Sequence, residues 1–185
     1  MLLKTLAVVK FDGSLIDFLG TNVPAILNSI SEMRSGKDLG PLAVFSAPKG
    51  VTDRLQMIGE AKALGREYDL DSIFKSYSDL ASGFVNKNLM EEFLSELARF
   101  RSEVEETLLK VDRRFNGSNK AKVLTSGGEL PTAMLIDFVL RSKGLESHFL
   151  DKTEWPIVTD DNFDNATPDF ETSRRRRALR LRRIP

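Results

Sequence analysis

Residues 45–55, FSAPKGVTDRL, lead from an apolar run through a turn of small residues into the start of a helix. Leu42–Phe45 are four consecutive apolar residues, which is typical of a strand buried on both faces of a sheet. The following SAPKG cannot continue that strand because it contains proline and glycine. A helix beginning near Thr52 would point its free N–H groups and the positive end of its dipole at the space above the sheet. The stretch therefore predicts a strand–turn–helix junction that can bind an anion.

Composition limits the chemistry open to the chain. Its 185 residues, 41% of them hydrophobic, suffice for the core of one domain, and the balance of 27 basic and 27 acidic residues gives no reason to expect a nucleic-acid or membrane partner. The absence of cysteine excludes disulfides and thiolate nucleophiles within this sequence and fits a reducing cytosol. His148 is the one histidine, so a two-histidine metal site is excluded and a structural role is favoured. The apolar run Leu6–Val9 is too short for a signal peptide or a membrane span, and we expect a soluble, cytoplasmic protein.

Apolar runs alternate with helical periodicity along most of the chain. A first strand, a helix and a second strand form a β-α-β unit, and a later short strand enters a glycine turn and an apolar helix. Strands are predicted at 6–10, 39–46, 122–125, 147–150 and 157–159, and a turn at 116–119. This order predicts an α/β fold, a three-layer α/β/α domain with a mostly parallel central sheet and helices on both faces.

Two apolar stripes occupy the middle of the chain. Leu70–Phe84 and Leu89–Phe115 each repeat large apolar residues at helical spacing, which predicts two or more helices whose stripes are core faces. We therefore expect a single partial domain over 1–185 with a helical insertion at about 66–117.

An arginine-rich segment, residues 171–185, ends the chain. Arg174–Arg177 could bind nucleic-acid phosphates electrostatically. The interspersed Ala178, Leu179 and Leu181 favour instead a solvated helix with one apolar edge docked on the sheet, or a tail left by truncation. No nucleic-acid partner is expected.

Three loops are predicted to follow strand ends: Lys10–Ser14, Ser46–Thr52 and Ser126–Glu129. In open α/β sheets ligands bind beyond the carboxyl ends of the strands, so we expect these loops to line one crevice. A lysine for phosphate oxygens, glycines for close approach and two helix N-termini suit phosphoryl transfer to a small amphoteric acceptor. Glu129 at a helix start could instead simply complement the helix dipole, and Lys10 could be an ordinary exposed lysine.

Four motifs resemble, in order and spacing, the N-terminal part of the aspartokinases of the amino acid kinase superfamily. They are KFDGS at 10–14, the 46–55 stretch, SGGE at 126–129 with Thr132-Ala133, and TDDNF at 159–163 with Asn165-Ala166. The resemblance implies an amino acid kinase-like fold and ATP-dependent phosphorylation of the β-carboxylate of L-aspartate, with Mg²⁺. That reaction is the entry step to lysine, threonine and methionine biosynthesis.

The resemblance also implies roles for particular residues. Phosphates of ATP would be bound by Lys10, Gly13 and Ser14, with Lys10 as the catalytic residue, and the substrate by Ser46, Thr52 and Glu129. Glu129 would accept from the substrate ammonium group while Thr52 donates to its α-carboxylate. Lys10 and Mg²⁺ would offset charge on the transferred phosphoryl group, so no protein nucleophile is required.

Two departures from the family pattern bear on activity. Asp12 replaces a glycine beside the proposed phosphate cradle, where repulsion at about 4 Å would cost roughly 1 to 4 kcal/mol unless Mg²⁺ bridges the two charges. The chain also stops at Pro185, before the part that in the family supplies the nucleotide pocket, so we expect little or no kinase activity from it alone. A partial sheet leaves an unpaired edge, which predicts a homo-oligomer or assembly with a missing C-terminal segment.

Two other functions stay open. The chain could be a catalytically inactive aspartate-binding or regulatory module that keeps only the acceptor pocket. It could also be another superfamily kinase acting on glutamate, acetylglutamate or a nucleotide.

Overall fold

A parallel β-α-β unit begins the fold. The computed structural model describes residues 7–35, 40–163 and 165–180, and its first elements are β1 (Val8–Phe11), α1 (Val23–Arg34) and β2 (Leu42–Phe45). The two strands are parallel and in register from Val8 opposite Leu42 to Phe11 opposite Phe45. The rings of the last pair stack with centroids 5.1 Å apart, which fixes the strand ends against each other. The predicted β-α-β unit is thus confirmed.

Three helices then contribute a large share of the core: α2 (Val51–Ala63), α3 (Asp71–Phe84) and α4 (Lys87–Leu109). Both predicted apolar stripes are buried, and Tyr77, Phe93 and Phe100 are among the largest fully buried side chains. The Asn86 side chain accepts the Leu89 N–H at 3.1 Å and so caps α4 immediately after α3 ends. The prediction of at least two helices in this region is confirmed.

A single helical stretch occupies the place of the predicted turn at 116–119 and strand at 122–125. It consists of α5 (Gly117–Leu124), a π-helical segment (Thr125–Glu129) and α6 (Leu130–Ser142). Both predictions are wrong. Only two of residues 122–125 are apolar, which is too few for strand and helix to differ in pattern, and α5 buries Val123 by packing on α2 and α4. The stretch is long and apolar enough to cross a membrane by length and composition alone, but 72% of its most apolar window is buried inside the protein.

The sheet is smaller than predicted. In the residues described, β1 and β2 form one two-stranded sheet, and β3 (Val158–Thr159) pairs antiparallel with β4 (Pro168–Asp169) in another. Residues 147–150 form no strand, since the Ser147 hydroxyl donates to Asp137 on α6 at 2.6 Å and Phe149 packs edge-on against Phe100 of α4. The fold is α-rich with a small parallel sheet.

The last element is α7 (Phe170–Arg180). The Asp169 carboxylate accepts the Thr172 N–H at 2.9 Å at its start, and Ser173 hydrogen-bonds the backbone of Val158 in β3. Arg174–Arg176 are exposed, so the prediction of a solvated helix is confirmed for this part. Arg182 and Arg183 lie outside the described residues.

Candidate functional site

The three predicted loops meet at Ala47, just beyond the end of β2. A Cβ built on Gly13 would overlap the Ala47 carbonyl oxygen, and one on Gly128 would lie 2.7 Å from the Ala47 Cβ. Glycine is therefore required at both positions by close packing. The third loop reaches this point from the π-helical segment, so the expectation that it follows a strand is wrong. The loops pack against one another at Ala47, whereas a single crevice lined by all three stays a prediction.

The first loop carries an exposed ion pair. Lys10 is the next-to-last residue of β1, and its Nζ lies 2.8 Å from Asp12 Oδ1, with both side chains more than 60% exposed. Gly13 and Ser14 follow in a short 3-10 turn. The Asp12 carboxylate thus neutralises the cation that was predicted to bind phosphate.

The second loop leads into α2 through a left-handed glycine. Gly50 has φ of +80°, a conformation that other residues rarely adopt, and α2 begins at the next residue. The loop is fastened to the first one, because the Ser46 N–H donates to Phe11 O at 3.2 Å and the Lys49 N–H donates to Ile16 O at 3.1 Å. Thr52 is exposed in the first turn of α2, where the free N–H groups of the helix face outward.

The π-helical segment is held by hydroxyl groups from two helices. Its defining hydrogen bond runs from the Leu130 N–H to the Thr125 carbonyl, five residues back. The carbonyl of Gly128 accepts the Tyr77 hydroxyl at 2.9 Å and the Thr132 hydroxyl at 2.7 Å. Burial raises the pKa of Tyr77 far above its ordinary range, so the phenol stays a hydrogen-bond donor.

Sequence reasoning assigned Tyr77 only to the core. A tyrosine in the middle of a buried stripe was the available signal, because a buried phenol needs a hydrogen-bond partner that phenylalanine does not. Its partner, the carbonyl of Gly128, could not be identified without the fold.

Glu129 is the last residue of the π-helical segment, and hydrogen bonds offset only part of the cost of burying its carboxylate. Its Oε2 atom is buried and has no hydrogen-bond partner among the described residues. Burial raises the pKa of Glu129, and the backbone amides of Glu129 and Ala47 oppose that rise in part. A cation placed beside the carboxylate would favour its charged form. Glu129 is therefore suited to accept hydrogen bonds from an ammonium group.

A groove of about 470 Å³ runs along β2 on one side of Glu129. Its walls are mostly apolar and come from β2, α6 and residues 145–150, with Lys152 and Trp155 at one end. Of the predicted site residues, Glu129 lines this groove, whereas Lys10, Gly13, Ser14, Ser46 and Thr52 do not. Glu129 thus borders both the loop cluster and the groove.

Within the described ranges no three His, Asp or Glu side chains are grouped so as to hold a metal ion. Asp12 is the carboxylate of the first loop, and carboxylate oxygens are ligands that Mg²⁺ accepts alongside nucleotide phosphates. One protein carboxylate fits a metal brought by a nucleotide better than a metal held by the protein alone.

The chain is similar to aspartokinases in sequence and in structure. It is 26% identical over 155 residues to the chloroplastic bifunctional aspartokinase/homoserine dehydrogenase 2 of Arabidopsis thaliana, a match covering 82% of this chain and 16% of that protein. E. coli aspartokinase III in complex with lysine and aspartate (T-state) matches 95% of this chain with a TM-score of 0.69 and 23% identity. The same enzyme with aspartate and ADP (R-state) matches 96% with a TM-score of 0.71 and 22% identity. No family model matches the chain.

These likenesses confirm the resemblance to aspartokinases that the four motifs predicted. At this identity the structural likeness shows a shared fold. The chain spans 38% of the length of the solved aspartokinase III chains, so the likeness concerns part of such an enzyme.

Proposed function

We propose that this chain carries the aspartate-binding part of an aspartokinase-type site, in which Glu129 accepts hydrogen bonds from the substrate ammonium group. The observation that carries the proposal is the buried Oε2 atom, which has no hydrogen-bond partner in the part of the chain that the structure describes, on a carboxylate whose pKa is raised by burial. An uncompensated buried carboxylate is costly, and a bound ammonium group would remove that cost. The fold shared with an aspartokinase crystallised with aspartate supports the choice of ligand.

The other predicted residues complete the site around Glu129. Ser46 and Thr52, at the end of β2 and the start of α2, donate to the substrate carboxylates together with free N–H groups of α2. Lys10, Gly13 and Ser14 face the phosphates of ATP, and Lys10 stabilises the charge on the transferred phosphoryl group. The substrate β-carboxylate is itself the nucleophile. Asp12 would be the carboxylate available to a Mg²⁺ ion brought by the nucleotide, and such an ion would supply positive charge to the phosphates.

Calorimetric titration with L-aspartate tests the proposal. We expect the wild type to bind and Glu129→Gln to bind about tenfold more weakly, because the amide cannot pair with the ammonium charge. Glu60→Gln is the matched control, since Glu60 lies exposed on α2 and accepts from Gln56. Absence of aspartate binding by the wild type, or equal affinity of the Glu129 variant, would overturn the proposal.

A second candidate function is an aspartate-binding module that does not transfer phosphate. The ion pair between Lys10 and Asp12 favours it, because a lysine already neutralised is a weaker phosphate ligand. Titration with magnesium-ATP distinguishes the two functions. Tight nucleotide binding, with ADP release above that of Lys10→Ala, supports the kinase, whereas aspartate binding alone supports the module.

The small parallel sheet offers an edge at which another strand could pair. The N–H groups of Leu42 and Ser46 donate to β1, so by strand alternation the backbone groups of Ala43 and Phe45 face away from it. A second copy or a C-terminal kinase segment could pair there and extend the sheet into the three-layer α/β/α arrangement. Light scattering coupled to size-exclusion chromatography tests self-assembly, and a monomer at high concentration would contradict it. A cytoplasmic location stays a prediction.

A further inference from the structure

An ion-pair cluster lies on α4, outside the predicted site residues. Glu103 is at its centre, with a side chain that is 26% exposed. Its Oε2 accepts the Ser126 hydroxyl at 3.1 Å and the Lys152 ammonium at 2.6 Å. Its Oε1 accepts from the Arg99 guanidinium at 3.2 Å. Glu103 therefore joins α4 to the π-helical segment and to residues 151–152.

Ser126 is the link between this cluster and the proposed aspartate site. It is 5% exposed, lies within the π-helical segment and precedes Glu129 by three residues. π-Helical geometry is rare and occurs mostly as single turns, so surrounding contacts must hold it in place. Tyr77 and Thr132 hold the segment at Gly128, and the bond from Ser126 to Glu103 holds it on the side of α4.

Glu103 is itself fixed in position. The Arg99 guanidinium contacts Glu103, Glu96 and Asp151, at 2.9 Å for each of the last two, and lies 4.3 Å above the Phe100 ring. The Thr107 hydroxyl donates to the Glu103 carbonyl at 2.7 Å. A carboxylate held from several directions can fix the position of the hydroxyl that it accepts.

We infer that Glu103 is a positioning residue for aspartate binding, acting through Ser126 to hold the π-helical segment that places Glu129. The inference rests on the proposed function, since it assigns Glu103 a role in binding aspartate. The same contact would place the segment whatever cation Glu129 binds.

A double-mutant cycle in aspartate affinity tests the inference. We expect Ser126→Ala to weaken binding about fivefold and Glu103→Ala about tenfold, because each removes the same link to the segment. The double variant should bind like Glu103→Ala alone, since the link is already broken. Singles that bind like the wild type, or effects that multiply, would overturn the inference.

Two further variants separate positioning from general loss of stability. Glu103→Gln keeps an oxygen that can accept from Ser126, and we expect it to bind aspartate within about threefold of the wild type. Glu92 lies on α4 like Glu103 but pairs with Arg141 of α6 and does not contact the π-helical segment, so the aspartate affinity of Glu92→Ala should be unchanged. If Glu103→Gln is as weak as Glu103→Ala, the bond to Ser126 is not what matters.

Amide hydrogen exchange separates failure of this inference from failure of the proposed function. If the wild type does not bind aspartate, the proposed function is wrong, but the segment can still be followed at Gly127 and Gly128. We expect these amides to exchange at least several-fold faster in Ser126→Ala and Glu103→Ala, and at the wild-type rate in Glu92→Ala. Unchanged exchange in the first two variants would overturn the role of Glu103.

Discussion

The phosphate side and the acceptor side of the proposed site differ in whether their charged groups are exposed and paired. On the phosphate side, Lys10 and Asp12 form an ion pair in solvent, which contributes at most about 1 kcal/mol and can be exchanged for another partner. On the acceptor side, Glu129 has a buried oxygen that no residue of the described ranges hydrogen-bonds, which favours binding of a cation strongly. The acceptor side is therefore organised before any ligand arrives, whereas the phosphate side requires rearrangement of an existing pair.

The two sides depend on one junction, and breaking it should have the largest effect. Gly13→Ala places a Cβ against the Ala47 carbonyl, and we expect the free energy of unfolding to fall by about 2 to 3 kcal/mol. Urea denaturation measures it. Gly83→Ala on α3 is the control, because its Cβ meets no atom within 4 Å and should raise stability by about 0.5 to 1 kcal/mol. Equal stability of the two variants would show that the loops do not pack as described.

The second-largest effect is expected on the acceptor side, where removal of the Tyr77 hydroxyl should lower the free energy of unfolding. In Tyr77→Phe the Gly128 carbonyl loses one of its two hydroxyl donors and keeps the Thr132 hydroxyl, and we expect a loss of about 1 to 1.5 kcal/mol in thermal or urea unfolding. Tyr68→Phe, at a tyrosine that is 41% exposed, should change stability by a few tenths at most. If Tyr77→Phe is as stable as Tyr68→Phe, the hydrogen bond from Tyr77 to Gly128 does not stabilise the π-helical segment.

The buried charge of Glu129 should make stability depend on pH. Because burial raises its pKa in the folded state, the neutral carboxyl stabilises the fold fully below the unfolded value of about 4.3. That contribution is lost as the pH rises through the folded-state pKa. The side chain of Glu129→Gln stays neutral, so we expect this variant to become more stable than the wild type as pH rises. Saturating aspartate should reduce this difference in stability. Parallel stability curves for the two proteins would contradict the burial of this charge.

The smallest effect is expected on the phosphate side. Asp12→Asn should change the free energy of unfolding by less than about 0.5 kcal/mol, because both partners are exposed. It should nevertheless tighten pyrophosphate binding several-fold by releasing Lys10, as measured by calorimetry. Lys10→Ala is the paired control and should weaken pyrophosphate binding. If Asp12→Asn leaves the pyrophosphate affinity unchanged, the ion pair between Lys10 and Asp12 does not limit phosphate binding.

The parts of the fold that were predictable carry either an uninterrupted apolar run or an apolar stripe repeated at helical spacing. β1, β2, α3 and α4 follow from continuous apolar runs or from stripes repeated over several turns. The strands predicted at 122–125 and 147–150 were wrong because polar residues interrupt both short runs, and tertiary contacts decide their structure. Ser147 and Phe149 are held by Asp137 and Phe100, so this segment does not pair with β2.

The candidate site was predictable in its residue types but not in its supports. Glycines and a carboxylate in ordered motifs indicated which loops converge. The contacts of Tyr77 with Gly128 and of Glu103 with Ser126 join residues far apart in sequence, and no local pattern links them. The roles of Lys10, Ser46 and Thr52 stay predictions.

The π-helical segment also has a consequence for how this site tolerates changes in chain length. Such a segment is an α-helix with one residue too many, and each residue of an α-helix turns the chain by about 100°. Deleting either Gly127 or Gly128 would let the helix from Gly117 to Ser142 become regular, and the part before the deletion would rotate by that angle relative to α6. Glu129 would keep its identity and its neighbours in sequence yet lose its alignment with Ala47. The position of the Glu129 carboxylate therefore depends on the number of residues in the π-helical segment as much as on their identity.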